Sequence, residues 1–439
     1  FVDTRENKLV AAALPALPAD DGWYTTDIAA GMTRQLWLGL HPSVAGRATA
    51  RVIVRQGQQT REVPFEVDIV PRELPPTELV CGLWDYADQP AYGLTPGNRE
   101  RAIADMKAHH VNLAHGLRAL AAVPPADGVD AAGNLTKPLD FSRFDAWLKL
   151  WEGARYYQIY LGVVPSSTFA GLKPGTPAFT QAVGQWAAAW DKKAVGVGLT
   201  GGRLQFAFLD EPNTAEQYAI SRLWTEAFKA GSKEIAVFCD PQFFNPEAQA
   251  ALPAAMETWD IICPLLFQYN TTAAMKAAVD AEVAEDKQLW FYQAHGPNRL
   301  FDPAYFRLQP WYCYRWGAVG QGFWAYGDTG GAASSWNEYV ATKGVSYCLP
   351  YIDAEQITPS KHWEAFREGI EDYQLLRLLA TCGASGQAAA RRLAEELTTT
   401  TEAVTRQDLR IPWQEPTPCA TADEVRLKIY DEIARAEGR

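Results

Sequence analysis

Residues 204–212 read Leu-Gln-Phe-Ala-Phe-Leu-Asp-Glu-Pro, so a strongly apolar run ends in two adjacent carboxylates and a proline. A short apolar run that stops at Asp-Glu-Pro predicts a buried strand followed by a turn. Asn213 and Glu216 then have the spacing of a capping box, which predicts that a helix begins directly after the turn. The stretch is therefore a strand–turn–helix unit with Asp210 and Glu211 at the carboxyl end of its strand.

The same kind of unit recurs along the chain. Short apolar runs, each a predicted strand, lie at 79–84, 111–114, 158–164, 204–209, 234–239, 261–268, 288–293 and 319–326. Predicted helices lie between or after them at 97–109, 142–154, 177–192, 213–231, 246–257, 271–284, 302–316 and 360–380. Eight alternating units with continuously apolar strands predict an α/β fold, a (βα)8 TIM-type barrel. A doubly wound sheet is the alternative, but its Gly-rich phosphate loop is absent, because Leu83 is followed by Trp-Asp-Tyr-Ala-Asp.

The barrel has an addition at each end. Strand patterns at 34–40, 50–55 and 62–70 predict a small N-terminal β-sandwich-like module over residues 1–76. The module ends in Pro71-Arg-Glu-Leu-Pro-Pro76, a predicted linker, because proline disfavours both helices and strand pairing. The catalytic barrel is then predicted to span 77–380. Helical patterns at 384–399 and 420–437 predict a C-terminal helical extension over 381–439.

Composition excludes several classes of function. The formal net charge of -12 argues against nucleic-acid binding, which requires basic surface. No apolar run reaches the roughly 20 residues that a membrane-spanning helix needs. The seven cysteines and six histidines form no CxxC, HxH or HExxH spacing, and there is no GxSxG elbow, so neither a metal, another cofactor nor a serine nucleophile is predicted. A neutral substrate fits best.

Polar and aromatic side chains gather at the predicted strand ends, where (βα)8 barrels build their active sites. The candidate site residues are Trp84, Asp85, Asn112, His115, Asp210, Glu211, Tyr269, Tyr292, His295, Trp324 and Tyr326. Aromatic rings can stack on the apolar face of a sugar, and amides and carboxylates can bond its hydroxyls. The rim therefore indicates carbohydrate chemistry.

A structural role is the alternative for each of these residues. Asp210 and Glu211 have the position of helix-capping carboxylates. His115 and His295 are alternatively core histidines, and Asp85 alternatively caps a turn. Trp324 and Tyr326, which share one face of an extended strand, alternatively fill the barrel.

Three segments resemble glycoside hydrolase family 123 and its uncharacterised relatives. Phe206-Ala-Phe-Leu-Asp-Glu-Pro212 resembles the catalytic segment of that family, and Trp363-Glu-Ala-Phe-Arg-Glu-Gly-Ile-Glu-Asp-Tyr-Gln-Leu-Leu376 resembles a helix that its members share. Gln35-Leu-Trp-Leu-Gly-Leu-His-Pro42 resembles the start of their β-sandwich. The segments are spread over most of the chain, and Arg-Glu-Gly-Ile-Glu-Asp-Tyr is the most specific.

The resemblance implies a retaining exo-β-N-acetylgalactosaminidase in which the 2-acetamido oxygen of the substrate attacks the anomeric carbon. Glu211 would protonate the departing oxygen and then activate water, so it must begin protonated. Asp210, which must remain ionised, would orient the acetamido N–H. Tyr292 and Tyr269 are candidate donors to the acetamido carbonyl, and Trp324 is a candidate packing partner for the acetamido methyl group or the sugar ring.

Two other functions stay open. One is a glycosidase for a different sugar, in which a distant carboxylate such as Asp85, Asp240 or Asp328 is the partner of Glu211. The other is a carbohydrate-binding barrel without catalysis. We further expect export to the periplasm, cell surface or medium, because relatives that degrade glycans are commonly exported; the chain starts at Phe1, so a missing signal peptide carries no weight.

Overall fold

The structure is a computed structural model, and it describes residues 2–3, 9–10, 12–41, 43–88, 92–296, 298–336, 346–402 and 417–436. The chain divides into two compact units. One unit is Leu14–Pro76, and the other combines Phe1–Ala13 with Thr77–Arg439. The larger unit therefore contains the barrel, the first 13 residues and the C-terminal helices.

The larger unit contains the predicted (βα)8 barrel. Its strands are β1 (Val80–Gly82), β2 (Leu113–Leu117), β3 (Tyr156–Tyr160), β4 (Leu204–Ala207), β5 (Ala236–Cys239), β6 (Ile261–Ile262), β7 (Gln288–Gln293) and β8 (Gly320–Phe323). Each strand from β2 to β7 pairs in parallel with the next, and β8 pairs in parallel with both β7 and β1. The fold class predicted from the alternating pattern is confirmed.

The helices follow the strands as the pattern predicted. They are α1 (Arg99–Ala108), α2 (Ser142–Leu150), α3 (Pro177–Gly196), α4 (Ala215–Lys229), α5 (Leu252–Met256), α6 (Leu266–Thr271), α7 (Ala273–Val283), α8 (Ala304–Trp316), α9 (Lys361–Ala380), α10 (Gly383–Thr400) and α11 (Pro418–Ala436). Short 3-10 turns lie at Arg118–Leu120, Ala126–Gly128, Pro246–Ala251 and Asn298–Leu300. Within the described part of the chain, no helix has the length and apolarity required to cross a membrane.

The capping box of α4 lies one residue later than predicted. Thr214 Oγ1 accepts the backbone N–H of Gln217, and the Gln217 side chain accepts the backbone N–H of Thr214 in return. The predicted pair of Asn213 and Glu216 is therefore wrong. The turn after β4 is one residue longer, which leaves Asp210 and Glu211 outside the helix and free of a capping role.

Two side chains join β1 to β2, the one neighbouring pair without a regular strand ladder. Asn112 accepts the N–H of Cys81 at 2.9 Å and donates to the carbonyl of Leu79 at 3.0 Å. Farther along the seam, Asp85 Oδ2 accepts the N–H of His115 at 2.9 Å. These side chains supplement a backbone hydrogen bond from the N–H of Asn112 to the carbonyl of Cys81 at 3.1 Å, and together they connect the first and second strands.

Large rings fill the barrel interior, and glycines leave room for them. A Cβ atom on Gly82 would lie 2.4 Å from Cε1 of His115, and one on Gly322 would lie 2.4 Å from Cζ3 of Trp84. The rings of Trp84 and His115 stack with their centroids 5.0 Å apart. An alanine at either glycine would displace a ring that lies directly below the carboxyl ends of the strands.

The N-terminal unit consists of antiparallel strand pairs. Gly46–Gln56 pairs along its whole length with Gln59–Ile69, and Ala19–Asp20 pairs with Trp23–Tyr24. The strand predicted at 34–40 is wrong: these residues pair with no strand in the described part of the unit, and Leu38 is 55% exposed. An apolar pattern forms a strand only where a partner edge is available. In the larger unit, Val2–Asp3 pairs with Leu9–Val10 and Tyr351–Ile352 pairs with Ile357–Thr358.

A buried ion network joins α11 to α8 and α9. Asp372, which is fully buried, accepts from Arg307 Nε at 2.9 Å, from Trp311 Nε1 at 3.0 Å and from Arg426 Nε. Arg307 is also buried, and its Nη2 lies 2.7 Å from the exposed Asp423 carboxylate. The network satisfies a buried guanidinium that would otherwise lie unpaired among the helices.

We expect Asp372→Ala to lower the free energy of unfolding by about 3–5 kcal/mol, because it leaves Arg307 buried without its main partner. Urea denaturation of the purified chain measures this effect. Asp423→Ala is the matched control: it removes a partner of the same arginine at a side chain that is 62% exposed, and we expect a loss of less than about 1 kcal/mol. Equal losses in the two variants would contradict the assignment.

Candidate active site

The pairing of three neighbouring strands brings a set of carboxylates to one end of the barrel. Ala207, the last residue of β4, lies opposite Tyr160 of β3 and Phe238 of β5. Asp210 and Glu211 follow β4, and Asp240 directly follows β5. All three carboxyl groups therefore lie at the carboxyl ends of adjacent parallel strands, the end where (βα)8 barrels carry their sites.

Asp210 is the most accessible of the three. The residue is exposed to water, yet neighbouring protein removes part of the hydration of its carboxyl group. This partial loss of hydration is the larger cause, and the adjacent charge of Glu211 the smaller, of a pKa for Asp210 that is raised to about 6. The group is thus mostly ionised at neutral pH and becomes protonated in mild acid.

Glu211 lies in a sharply turned backbone and is held by a tyrosine. Its φ angle of 44° is in the left-handed region, which is uncommon for a residue with a side chain. Tyr292 Oη donates to Glu211 Oε1 at 2.5 Å, and Gln242 Nε2 donates to Tyr292 Oη at 2.8 Å. Burial and the nearby charges of Asp240 and Glu211 raise the pKa of Tyr292 well above its usual value, so the phenol keeps its proton and acts as a donor.

Asp240 lies beneath the pair. It is 4% exposed, and its Oδ1 accepts the backbone N–H of Glu211 at 3.2 Å. Burial is the largest cause that raises the pKa of Asp240 well above the ordinary range, and the charges of Asp210 and Glu211 add to it. Three carboxyl groups therefore share one region, and the innermost is the hardest to ionise.

Three aromatic residues form a wall beside Asp210, and we call this set the aromatic wall: Tyr86, Tyr92 and Trp324. The Tyr86 and Tyr92 rings lie 4.9 Å apart, and each lies 6.0 Å from Trp324. Burial raises the pKa of both tyrosines; the charge of Asp210 adds to the effect on Tyr86, and the charges of Asp328 and Asp210 add to the effect on Tyr92. Trp324 Nε1 donates to Asp328 Oδ2 at 3.1 Å, which fixes the indole.

Four residues that were predicted to line the site lie away from the mouth of the barrel: Asn112, Asp85, Tyr269 and Tyr326. Their placement corrects the sequence analysis. Asn112 precedes β2, so it lies at the opposite end of the barrel and bonds the seam instead. Asp85 is fully buried, and its two oxygens accept the backbone N–H groups of His115 and Ala87. Both side chains are committed to backbone groups and take no part in the open mouth.

Tyr269 and Tyr326 point away from the barrel interior, into the layer between strands and helices. Tyr269 lies on α6 rather than on a strand, and its hydroxyl bonds Asp280 at 2.5 Å. Tyr326 donates to Asp105 of α1 at 2.8 Å. Strand β8 ends at Phe323, so the alternation that predicted a shared face for Trp324 and Tyr326 does not extend to them.

The remaining three predicted residues have intermediate positions. Trp84 and His115 belong to the barrel interior, where the Trp84 ring contacts that of Tyr292 at 5.8 Å. They support the site from below. His295 follows β7, and its ring lies 5.3 Å from that of Phe301.

Sequence reasoning missed several residues of the mouth as site members. Tyr160 was placed inside a predicted strand that ends four residues too late, and Gln242 lies only two residues beyond Asp240, where its position offered a signal. Tyr347, whose pKa is raised by burial and by the charges of Asp328 and Glu211, comes from a segment with no predicted element. Nothing in the sequence marks it.

The arrangement suits proton transfer. Among the described ranges, no group of three or more His, Cys, Asp or Glu side chains has an arrangement that would hold a metal ion. Glu211 can exchange a proton with a bound oxygen, Asp210 can accept a hydrogen bond or stabilise positive charge, and the aromatic wall offers apolar faces.

No protein-family model matches the sequence, and no curated protein matches it. Among solved structures, a family 123 glycoside hydrolase from Clostridium perfringens, described in terms of glycolipid glycan hydrolysis, is similar at a TM-score of 0.59. The match has 12% sequence identity and covers 88% of this chain and 75% of that chain. At this identity the similarity shows a common fold.

Two further structures align more weakly. The GH53 catalytic domain from Ignisphaera aggregans has a TM-score of 0.39 at 13% identity, over 61% of this chain and 88% of that chain. An endo-1,4-β-mannanase from Rhizomucor miehei has a TM-score of 0.37 at 11% identity, over 62% and 90%. All three neighbours are glycoside hydrolases, but TM-scores this low give the last two no weight.

Proposed function

We propose that this protein is a retaining glycoside hydrolase that removes terminal β-linked N-acetylhexosamine, with N-acetylgalactosamine favoured, by substrate-assisted catalysis. The observation that carries the proposal is the adjacent pair Asp210 and Glu211 at the open carboxyl end of β4, with Tyr292 bonded to Glu211. The family resemblance of residues 206–212 and the fold shared with a family 123 enzyme support it.

In the first step, the acetamido oxygen of the substrate attacks the anomeric carbon and the glycosidic C–O bond breaks. Glu211 donates its proton to the departing oxygen. In the second step, water attacks the same carbon, Glu211 takes a proton from that water, and the acetamido oxygen leaves. Tyr292 restricts the Glu211 side chain, so that it reaches the leaving oxygen in one orientation.

Asp210 has the complementary task. Its ionised carboxylate would accept the acetamido N–H, orient the carbonyl oxygen for attack and stabilise the positive charge that develops on the ring. The aromatic wall on the same side would contact the acetamido methyl group, which has no hydrogen-bonding capacity. This placement favours a 2-acetamido sugar over one with a 2-hydroxyl group.

Tyr292 has a position that suits two partners. In the free site its hydroxyl donates a hydrogen bond of 2.5 Å to Glu211. Donation to the acetamido carbonyl would require the phenol to exchange that bond for one to the substrate. Tyr269, the other candidate donor, is committed to Asp280 and is not proposed for this role.

The proposal is tested with aryl 2-acetamido-2-deoxy-β-D-galactoside, its gluco epimer and the plain aryl β-galactoside. We expect turnover of an acetamido substrate and much slower turnover of the plain glycoside. Turnover of a plain glycoside alone would overturn substrate assistance. Sugar binding that survives mutation of Asp210 and Glu211, with no hydrolysis of a broad glycan panel, would instead indicate a binding protein.

A distant-carboxylate mechanism has little support from the described contacts. Asp85 is buried with both oxygens bonded to backbone N–H groups. Asp328 accepts from Trp324 Nε1 through one oxygen and from the N–H of Gly330 through the other. Each oxygen of both carboxylates therefore already accepts a hydrogen bond from a protein donor, which lowers its nucleophilicity.

Activity should fall in mild acid. Because the pKa of Asp210 is raised to about 6, protons neutralise it as the pH falls through that value. We expect kcat/KM, which reports the free enzyme, to fall about tenfold per pH unit below pH 6. Initial rates with an aryl acetamido substrate measure this limb, with circular dichroism at each pH to confirm folding. An acid limb near the ordinary aspartate pKa would contradict the assignment.

A further inference from the structure

Asp240 is the buried carboxyl group that the proposed mechanism does not use. It directly follows β5, and the segment that it begins holds the turn after β4 at two points. Asp240 Oδ1 accepts the N–H of Glu211 at 3.2 Å, and the N–H of Gln242 donates to the carbonyl of Pro212 at 3.0 Å. Because Glu211 has a left-handed backbone, this turn depends on such external support.

The surroundings of Asp240 disfavour its negative charge. The two charges that act on it most strongly are those of Asp210 and Glu211, and both are negative. The charge of Asp240 also acts on groups from four other strand units: Tyr292 of β7, Cys263 just after β6, Tyr160 of β3 and Tyr86 after β1. The phenols and the thiol have raised pKa values of their own, so none of these four groups supplies a positive charge.

We propose that Asp240 is a positioning residue that works as a neutral carboxylic acid, with its carbonyl oxygen fixing the Glu211 backbone and its neutrality leaving negative charge to the Asp210–Glu211 pair. The inference rests on the proposed function for its effect on turnover. It also opposes the alternative in which Asp240 is the nucleophilic partner of Glu211, because a nucleophile must be ionised.

Two substitutions separate a neutral acid from a carboxylate. Asparagine has nearly the same shape, keeps the acceptor oxygen for the Glu211 N–H and carries no charge. We expect Asp240→Asn to change kcat by less than about tenfold, the effect of a single altered hydrogen bond, and to leave the acid limb of kcat/KM in place. Asp240→Ala removes the acceptor, so we expect kcat to fall on the order of 100-fold through misplacement of Glu211, with a smaller change in KM.

A loss in Asp240→Asn as large as that in Asp240→Ala would overturn the proposal, because the isosteric neutral group would then fail to replace the acid. Thermal unfolding of both variants shows whether Asp240→Ala is folded. If it is not, Asp240→Asn compared with Asp210→Asn decides the question: retained turnover in the former and lost turnover in the latter supports the neutral acid.

A second measurement does not depend on hydrolysis. Infrared difference spectra of the wild type and Asp240→Asn at neutral pH detect the carbonyl stretch of a protonated carboxylic acid. We expect that band in the wild type and its loss in Asp240→Asn. Its absence from the wild type would overturn the neutral-acid role even if the enzyme hydrolyses the predicted sugar. Its presence with no glycosidase activity would refute the proposed function while leaving the protonation of Asp240 established.

Discussion

Glu211→Gln is expected to slow hydrolysis of substrates with poor leaving groups, such as a second sugar, by roughly 10²–10⁴-fold. The glutamine amide cannot protonate the departing oxygen. A dinitrophenyl leaving group departs without protonation, so its release should be far less affected. The second step still needs a base to activate water, and added azide, a nucleophile that needs no deprotonation, should restore turnover and yield a β-glycosyl azide.

Steady-state kinetics with a series of aryl leaving groups of graded acidity measure this contrast. Glu216→Gln is the matched control, because it makes the same change at an exposed residue of α4 and should leave the rates unaltered. Equal losses with the dinitrophenyl and the sugar leaving groups would remove Glu211 from the role of general acid.

Asp210→Asn is expected to reduce turnover on the order of 10³-fold with every leaving group, since it removes a charge that stabilises the transition state of bond formation to the anomeric carbon. Asparagine keeps the size of the side chain but loses the negative charge. Protonation of the leaving group is not the step affected, so the dinitrophenyl substrate should suffer as much as the others.

The same aryl series tests this prediction, with Asp127→Asn at an exposed site as the matched control. Binding of an N-acetylhexosamine thiazoline, which resembles the cyclised intermediate, should weaken in parallel with the rate. A variant that loses activity only towards poor leaving groups, or that binds the thiazoline normally, would show that Asp210 does not act on the acetamido group.

The apolar runs predicted the barrel because each parallel strand is buried on both faces, and its own sequence is therefore continuously apolar. The run at 204–209 was sufficient to locate β4 and the carboxylates after it. The strand ends were less certain: the predicted third strand runs to residue 164, whereas β3 ends at Tyr160. That difference hid Tyr160 from the list of candidate site residues.

The prediction of site residues depended on knowing which way each side chain points. Trp324 and Tyr326 differ by two residues, but only Trp324 faces the mouth because β8 ends before either of them. Tyr269 resembled a strand-end residue, yet the chain had already entered α6. Periodicity applies within an element and loses its meaning where the element stops.

The sequence by itself determined the barrel, the order of its units and the position of Asp210 and Glu211 at a strand end, since these follow from local burial patterns and from residues adjacent in the chain. Only the tertiary structure decided which groups meet this pair. Tyr292 from β7 bonds Glu211, and Asp240, directly after β5, supports its backbone. Such contacts join residues 29 to 81 positions apart, and their geometry depends on strand register and side-chain direction, which no local pattern records.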